Sequence, residues 1–372
     1  MVASGRDGAP LVVLAAGGTG GHLFPAEALA VALARRGVAI DLATDERATR
    51  YGAAFPARET HIIPSATLRG NTPVALARTL WALGHGTLRA YALLGKIKPA
   101  AVVGFGGYPT IPPVAAASLR RVPTIIHDSN AVLGRANKLL APRVTAIATT
   151  FPGVVDYDQK LAAKATRTGN PVRPAVVAAA QVPFATTAGG TLNLLVFGGS
   201  QGARVMADVV PPAIEHVPPE LRTRLSIVQQ AREEDISRVR MTYARLGVSA
   251  EIAPFFADLP ARMAQSHLVI SRSGASTVAE LAAVGRPAIL VPLPHALDQD
   301  QLANATVLER AGGAVCLRQD AFTPNRLAAE VARLAGDPDG LAAMAKAAKS
   351  AGTIDAAEQL AALVVKIAGL KV

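Results

Sequence analysis

Two glycine-rich turns carry the residues best placed for chemistry. One reads Gly17-Gly18-Thr19-Gly20-Gly21-His22 and the other Gly198-Gly199-Ser200-Gln201-Gly202-Ala203-Arg204. Each follows a short apolar run, 11–16 and 192–197, and each leads into a helical pattern, 25–36 and 203–216. A strand, a glycine turn and a helix start gather bare backbone N–H groups at the positive end of a helix dipole, which suits an anion such as phosphate. His22 stands just inside the first turn. A neutral imidazole there could take a proton from an attacking hydroxyl, although a histidine at a helix start is also an ordinary polar residue. Two such turns, 181 residues apart, predict two similar domains facing each other across a cleft.

The turns are not the usual cofactor loops. A dinucleotide fingerprint needs a third glycine five residues after the first. Counting from Gly18 that position is Leu23, and from Gly104 it is Pro109. The turn at Gly198 lacks the spacing, and no phosphate loop ending in Lys-Ser/Thr is present, so neither nicotinamide nor the usual ATP binding is expected. The segment Ser271-Arg-Ser-Gly274-Ala275-Ser276-Thr277-Val278-Ala279-Glu280 follows another predicted strand and opens a helix that ends at Gly285. Its Glu280 could accept hydrogen bonds from two neighbouring hydroxyls, as on a ribose. Thr277-x-x-Glu280 is equally a capping box, which needs no ligand. His127-Asp128-Ser129-Asn130 follows a strand on the same sheet edge as the glycine turns, where open α/β sheets bind ligands. Asp128 is there either a base or a turn former. No spacing typical of zinc or calcium ligands occurs, so no metal and no cofactor is predicted.

These residues need a scaffold, and the bulk composition describes one. A chain of 372 residues exceeds what one core usually supports. Hydrophobic residues at 51% against 17% charged fit sheets buried on both faces. Apolar runs near 10–16, 38–44, 100–104, 123–127 and 144–149, then near 192–197, 225–229, 249–253, 267–271, 287–292 and 313–317, alternate with helical patterns. That is the signature of a doubly wound α/β sheet in each half. Prolines in Gly169-Asn-Pro-Val-Arg173-Pro174 mark the linker. The expected domains are 1–172 and 173–349, with a last helix at about 350–372 packing back on the first. The lone Cys316 excludes an internal disulfide. No targeting segment is evident, and the uncharged stretch 99–119 holds too many prolines and glycines for a spanning helix.

Charge is distributed unevenly. Residues 1–180 hold 20 basic and 9 acidic side chains, a net of +11, whereas 181–372 hold 18 of each. A basic first half suits nucleic acid, an anionic membrane or a phosphorylated lipid, and is also compatible with a plain solvated surface. In Thr72-Pro73-Val74-Ala-Leu76-Ala77-Arg78-Thr-Leu80-Trp81-Ala-Leu83 the cap and the proline open a helix. Its two apolar stripes read as core. The only Trp, flanked by Arg69, Arg78 and Arg89, reads as a membrane-interface helix.

In chain order, Gly17-Gly-Thr-Gly-Gly-His22 with Pro25, Gly106-Gly-Tyr108, Gly169-Asn-Pro-Val-Arg173, Gly198-Gly-Ser-Gln-Gly-Ala-Arg204, Ser271-Arg-Ser-Gly-Ala275 and the run 292–305 with His295, Gln301 and Asn304 resemble the MurG family of peptidoglycan N-acetylglucosaminyltransferases. The likeness spans roughly 11–305. It implies a GT-B glycosyltransferase of two Rossmann-like domains. The donor would be UDP-N-acetylglucosamine (UDP-GlcNAc), bound as a substrate with no cofactor. The acceptor would be lipid I, undecaprenyl-pyrophosphoryl-MurNAc-pentapeptide. GlcNAc would join the MurNAc 4-hydroxyl with inversion, giving lipid II and UDP for peptidoglycan synthesis. The resemblance also implies a peripheral enzyme on the cytoplasmic face of the bacterial inner membrane, near cell-wall synthesis or division proteins and with no part for nucleic acid.

Position by position, the resemblance gives the Phe256 backbone to the uracil and Glu280 to the ribose. It assigns Ser200 and Arg173 to the diphosphate, Ala275, Ser276, Thr277, Val278 and Ala279 to the sugar and phosphates, and Gln301 to GlcNAc hydroxyls. Thr19, Gly20, Gly21 and Asn130 would complete the cleft, with His22 as general base. Leu76, Arg78, Leu80, Trp81 and Tyr108 are the candidates for acceptor or membrane contact. The family commonly has His-Glu-Gln-Asn where this chain has His127-Asp128-Ser129-Asn130, so no role is carried over for Asp128 or Ser129. The same fold also serves UDP-GlcNAc epimerases and transferases with other acceptors.

Overall fold

The computed structural model describes residues 8–17, 20–46, 55–66, 72–186, 189–199 and 202–372. The chain forms two compact α/β units, Met1–Arg173 with Asp355–Val372, and Pro174–Ile354. The first unit contains β1 (Leu11–Ala15), β2 (Ala39–Thr44), β3 (Glu59–Ile62), β4 (Ala101–Gly104), β5 (Thr124–Asp128), β6 (Ala146–Thr149) and β7 (Ala165–Arg167), in the order β3-β2-β1-β4-β5-β6-β7. The second contains β8 (Leu192–Phe197), β9 (Leu225–Gln230), β10 (Ser249–Ala253), β11 (Leu268–Ser271), β12 (Ala288–Leu290) and β13 (Ala314–Cys316), in the order β10-β9-β8-β11-β12-β13. All pairings are parallel. Both sheets therefore reverse strand order beside their first strand, at β1/β4 and at β8/β11, which is where doubly wound sheets bind ligands.

The central strands are the continuous apolar runs of the sequence. Every residue of β1 is buried, because helices cover both faces of a parallel sheet. The sequence reading does not contain β3 and β7. Both are short, polar and exposed edge strands, so neither shows a buried run. β3 pairs with β2 through the backbone, and polar side chains rather than apolar ones support it. The buried Asp41 carboxylate accepts from Arg58 at 2.9 and 2.8 Å and lies 3.0 Å from His61 Nε2.

The helix Gly20–Ala34 starts earlier than the expected 25 and carries Pro25 inside it. The C-terminal helix Ala356–Ala368 packs against it. Leu360, Ala361 and Val364 enter the first unit's core, and Glu358 pairs with Arg36 at 2.9 Å. In the second unit Arg286 is 1% exposed. Its guanidinium donates to the carbonyls of Ala264, Val284, Gly285 and Val182, so the buried charge is fully used in tying 182–183 to the unit. Among the described residues no helix is long and apolar enough to cross a membrane.

At the carboxyl edge of β5, His127 is completely buried. Its Nε2 stands 3.0 Å from the carbonyl of Gly169, and its ring is tilted against Phe105. Burial pushes this imidazole down to about 4; the hydrogen bond to Gly169 works the other way and nearby His22 adds to the depression. The native pKa lies below the unfolded one. The unfolded chain therefore gains the proton first, and stability is lost as pH falls from about 6.5 towards about 4, by about 3 kcal/mol in all. His127→Gln should remove that part of the acid loss. Thermal unfolding of both proteins at about pH 7 and about pH 5 checks this, and equal losses in the two would rule it out.

Candidate functional site

In each unit, loops from the carboxyl ends of the strands converge at the strand-order reversal. In the first unit His22 lies in the first turn of the helix that follows β1, and its ring is surrounded by bare backbone. A methyl group added at Gly17 would lie 3.5 Å from the His22 ring, and one at Gly106 or Gly107 would lie 3.3 Å from it. Gly106 and Gly107 adopt φ of +88° and +76°, values that side chains resist, so glycine is needed both for the turn and for the slot. Gly107 then opens the short 3-10 turn Tyr108–Thr110, which puts the half-buried Tyr108 next to the histidine slot. The structure thus brings Gly20, Gly21, His22 and Tyr108 to one edge. Gly18, Thr19, Ser200, Gln201 and Arg69 lie outside the described residues.

Asp128 is a turn former. Its carboxylate accepts from the backbone N–H of Asn130 at 3.0 Å and of Gly134 at 2.7 Å, and from Asn137 Nδ2 at 2.9 Å. Burial raises its pKa, and these donors oppose the rise. The carboxylate holds the 129–134 loop, and with it the half-buried Asn130, against the start of the helix Arg135–Leu140. Ser129 donates to Asn170 Oδ1 at 3.1 Å. With His127 on Gly169, two residues of the motif thus grip the segment leading to Arg173. Arg173 lies in the first unit, with its guanidinium over the Phe24 ring at 4.2 Å.

The second unit repeats the plan. A methyl group at Gly198 would collide with the backbone of Ala203, so the turn after β8 closes only with glycine there. The N–H of Gly198 donates to Gln230 Oε1 at 2.9 Å, and Gln230 Nε2 donates to the carbonyl of Pro254 at 3.1 Å. Gln230 at the end of β9 therefore fixes the turns after β8 and β10 together. Sequence reasoning passed it over because a strand-end glutamine carries no motif.

After β11, Gly274 is the N-cap of the helix Ala275–Val284. Thr277 is consequently an interior residue, and the expected capping box is not the cap that forms. Glu280, one turn in, is only 7% exposed. The Ser276 hydroxyl is buried with no hydrogen-bond partner among the described residues. The first turns of this helix therefore hold a buried carboxyl group and a hydroxyl that has no partner among the described residues.

Gln301 lies on the helix Asp300–Arg310, which Ser273 and Asn304 bind to the loop after β11. Ser273 Oγ donates to the carbonyl of Gln301 at 2.8 Å, and Asn304 Nδ2 donates to that of Ser273 at 3.3 Å. Arg272 donates to the carbonyls of Val291 and Pro292. The Gln301 side-chain oxygen accepts from the N–H of Leu293. Asp298 and Gln299 take left-handed φ of 55° and 52°, a strained entry that these contacts sustain. Beside them lies a cavity of about 250 Å³ lined by Pro292, Leu293, Pro294, Leu302 and Arg318 among others. The Phe256 side chain is buried, with the Arg262 guanidinium over its ring at 4.4 Å, while Phe255 is exposed.

The helix Pro73–Ile97 corrects the reading as core. Thr72 caps it and Pro73 begins it, as the sequence requires. Yet it buries only a narrow stripe, Thr79, Gly86, Ala90 and Leu94, packing against the helix Ile111–Leu119. Trp81 is 71% exposed and Leu80 60%, and Val74, Leu76, Arg78 and Leu88 also face solvent.

Comparison with known proteins agrees with this arrangement. Residues 12–149 match the glycosyltransferase family 28 N-terminal domain, and 193–360 match the family 28 C-terminal domain. The chain is 64% identical, over 98% of both sequences, to the UDP-N-acetylglucosamine–N-acetylmuramyl-(pentapeptide) pyrophosphoryl-undecaprenol N-acetylglucosamine transferase of Rhodopseudomonas palustris strain BisB18. It is 59% identical to the transferase of that name from Nitrobacter hamburgensis, over 97% of this chain and 98% of that one. The crystal structure of Acinetobacter baumannii MurG superposes with a TM-score of 0.79 at 28% identity, covering 96% of this chain and 99% of that one. By sequence and by fold, the chain belongs to glycosyltransferase family 28, in the MurG family of UDP-GlcNAc-dependent glycosyltransferases.

Proposed function

We propose that this protein transfers GlcNAc from UDP-GlcNAc to the 4-hydroxyl of the MurNAc of lipid I, forming lipid II. The observation that carries the reading is the glycine-built turn at the strand-order reversal of each unit, in a chain whose relatives at 59–64% identity bear the name of that transferase.

The second unit is the donor half. Glu280 accepts from the ribose hydroxyls, the first turn of the helix Ala275–Val284 with Ser276 and Thr277 faces phosphate and sugar, and the backbone at Phe256 meets the uracil. Gln301 has its carbonyl oxygen on Leu293, so its amide N–H group is the side that meets sugar oxygens. The first unit is the acceptor half. His22 takes the proton of the 4-hydroxyl as that oxygen attacks C1 of GlcNAc from the face opposite the leaving group. The C1–O bond to the diphosphate breaks, UDP leaves with the electron pair, and the configuration inverts. Helix N-termini and the Arg173 guanidinium are the positive groups this chain offers to the developing charge.

The exposed apolar face of the helix Pro73–Ile97, with basic residues beside it, docks on an anionic lipid surface. Leu80 and Trp81 enter the interface, and each basic residue near the headgroups adds about 1 kcal/mol. The protein thus works as a peripheral enzyme on the cytoplasmic face of the inner membrane, where its lipid acceptor resides.

Labelled GlcNAc should pass from UDP-GlcNAc to a short-chain lipid I analogue with EDTA present. His22→Ala should lower kcat by about 10²- to 10⁴-fold with UDP affinity kept. A near-normal rate would remove His22 as the base. Glu280→Ala should weaken UDP binding by about tenfold or more in calorimetry, and unchanged affinity would cancel the ribose assignment. Replacing Leu80 and Trp81 together by serine should release the protein from anionic vesicles in a flotation assay while the short-chain acceptor is still turned over. Undiminished vesicle binding would exclude this helix as the docking face.

A further inference from the structure

Phe24 is an aromatic residue that the core of its unit leaves out. It projects from the second turn of the helix Gly20–Ala34 and is half-buried. Its ring edge rests on the bare Cα of Gly20. A methyl group there would come within 2.9 Å of the ring, closer than real side chains pack. Over its face lies the Arg173 guanidinium, 4.2 Å from the ring centroid. Such a stack is an electrostatic attraction between a cation and the negative face of the ring, and it fixes the plane of the guanidinium.

The backbone that delivers Arg173 is held independently. Gly169 turns with φ of +78°, its carbonyl is bonded by His127, and the side chain of Asn170 is bonded by Ser129. Glu27 sits three residues beyond Phe24 on the same helix. Burial raises its carboxyl pKa and the Arg173 charge opposes the rise, so the guanidinium is close enough to act on it. The chain therefore brings a long flexible cation to the first turns of this helix through a rigid turn and stacks its tip on the Phe24 ring.

We infer that Phe24 is a positioning residue, which holds the Arg173 guanidinium beside the glycine turn in the orientation that meets a substrate diphosphate. This rests on the reading above in which Arg173 faces a diphosphate. Two substrates carry one, the nucleotide donor and the lipid acceptor. With leucine in place of the ring, the arginine keeps its charge but loses the stacking face that fixes its plane, and each binding event must then set that plane again.

The test is steady-state kinetics with UDP-GlcNAc and a short-chain lipid I analogue varied in turn. Phe24→Leu, Phe24→Tyr, Arg173→Ala and the Phe24→Leu/Arg173→Ala double variant are compared, with melting temperatures as the fold control. Phe24→Leu is expected to raise KM about tenfold for one diphosphate substrate only, and the affected substrate identifies which diphosphate Arg173 meets. Phe24→Tyr, which keeps the ring face, is expected to behave as the parent. In the Arg173→Ala background Phe24→Leu is expected to add nothing further, because its effect passes through the guanidinium. An effect of full size in that background overturns the proposal, as does a raised KM in Arg173→Ala alongside a normal one in Phe24→Leu. Normal KM values for both substrates in both single variants would instead withdraw Arg173 from the diphosphate and remove the reading beneath the proposal.

Discussion

Backbone N–H groups at a helix start can serve a ligand only where no side chain stands before them, and much of this molecule follows from that requirement. At the carboxyl edge of the first sheet, Gly106 and Gly107 leave room for the His22 ring, which also lies against Gly17. At the corresponding edge of the second, Gly198 allows a turn that any Cβ would block. Parallel sheets make these edges available. Every strand points the same way, so every loop that follows a strand opens on the same side, and the order reversals at β1/β4 and β8/β11 part the flanking helices there.

Bare turns have little side-chain packing of their own, so they are braced from beneath by buried polar groups that satisfy one another. Gln230 spans the turns after β8 and β10, Asp128 gathers two donors from the loop after it and one from the following helix, and His127 and Ser129 bind the segment before Arg173. Around Gln301, hydrogen bonds from Arg272, Ser273 and Asn304 sustain two residues in left-handed conformation. Each brace is a polar side chain at a strand end, in a loop or, for Asn304, on a helix, and it bonds the backbone or side chain of a nearby turn. Removing one leaves an unsatisfied group in a low-dielectric interior, which is why such networks act together.

The interior of the sheets could be read from the sequence because its signal is local. A strand covered on both faces is a continuous apolar run, and eleven apolar runs correspond to every strand except β3 and β7, the edge strands β10 and β13 included. The edge strands β3 and β7 of the first sheet escape that reading because their few residues, Glu59–Ile62 and Ala165–Arg167, are mostly polar and exposed. Beside β3 the buried Asp41 of β2 pairs with Arg58, the residue before β3, 17 positions away. The same locality misled at the helix Pro73–Ile97. Its apolar stripes resemble a buried helix, but periodicity records which residues share a face and not whether anything covers it. At Thr277 the spacing of a capping box was present, but the chain had already begun the helix at Ala275.

By itself the sequence determined the α/β class, the alternation of strand and helix, the glycine turns at the strand ends and the excess of positive charge in residues 1–180. All of these are properties of neighbouring residues or of composition. Tertiary structure decided which face of the Trp81 helix is open, that Gly274 rather than Thr277 caps its helix, that Asp128 shapes a loop, and that Phe24 and Arg173 form a stack. The cap and the Asp128 loop are local choices among alternatives that spacing leaves open. The open face and the stack depend on parts far apart in the chain, 149 positions apart for Phe24 and Arg173, and no local pattern encodes such a pair until the sheet brings its ends together.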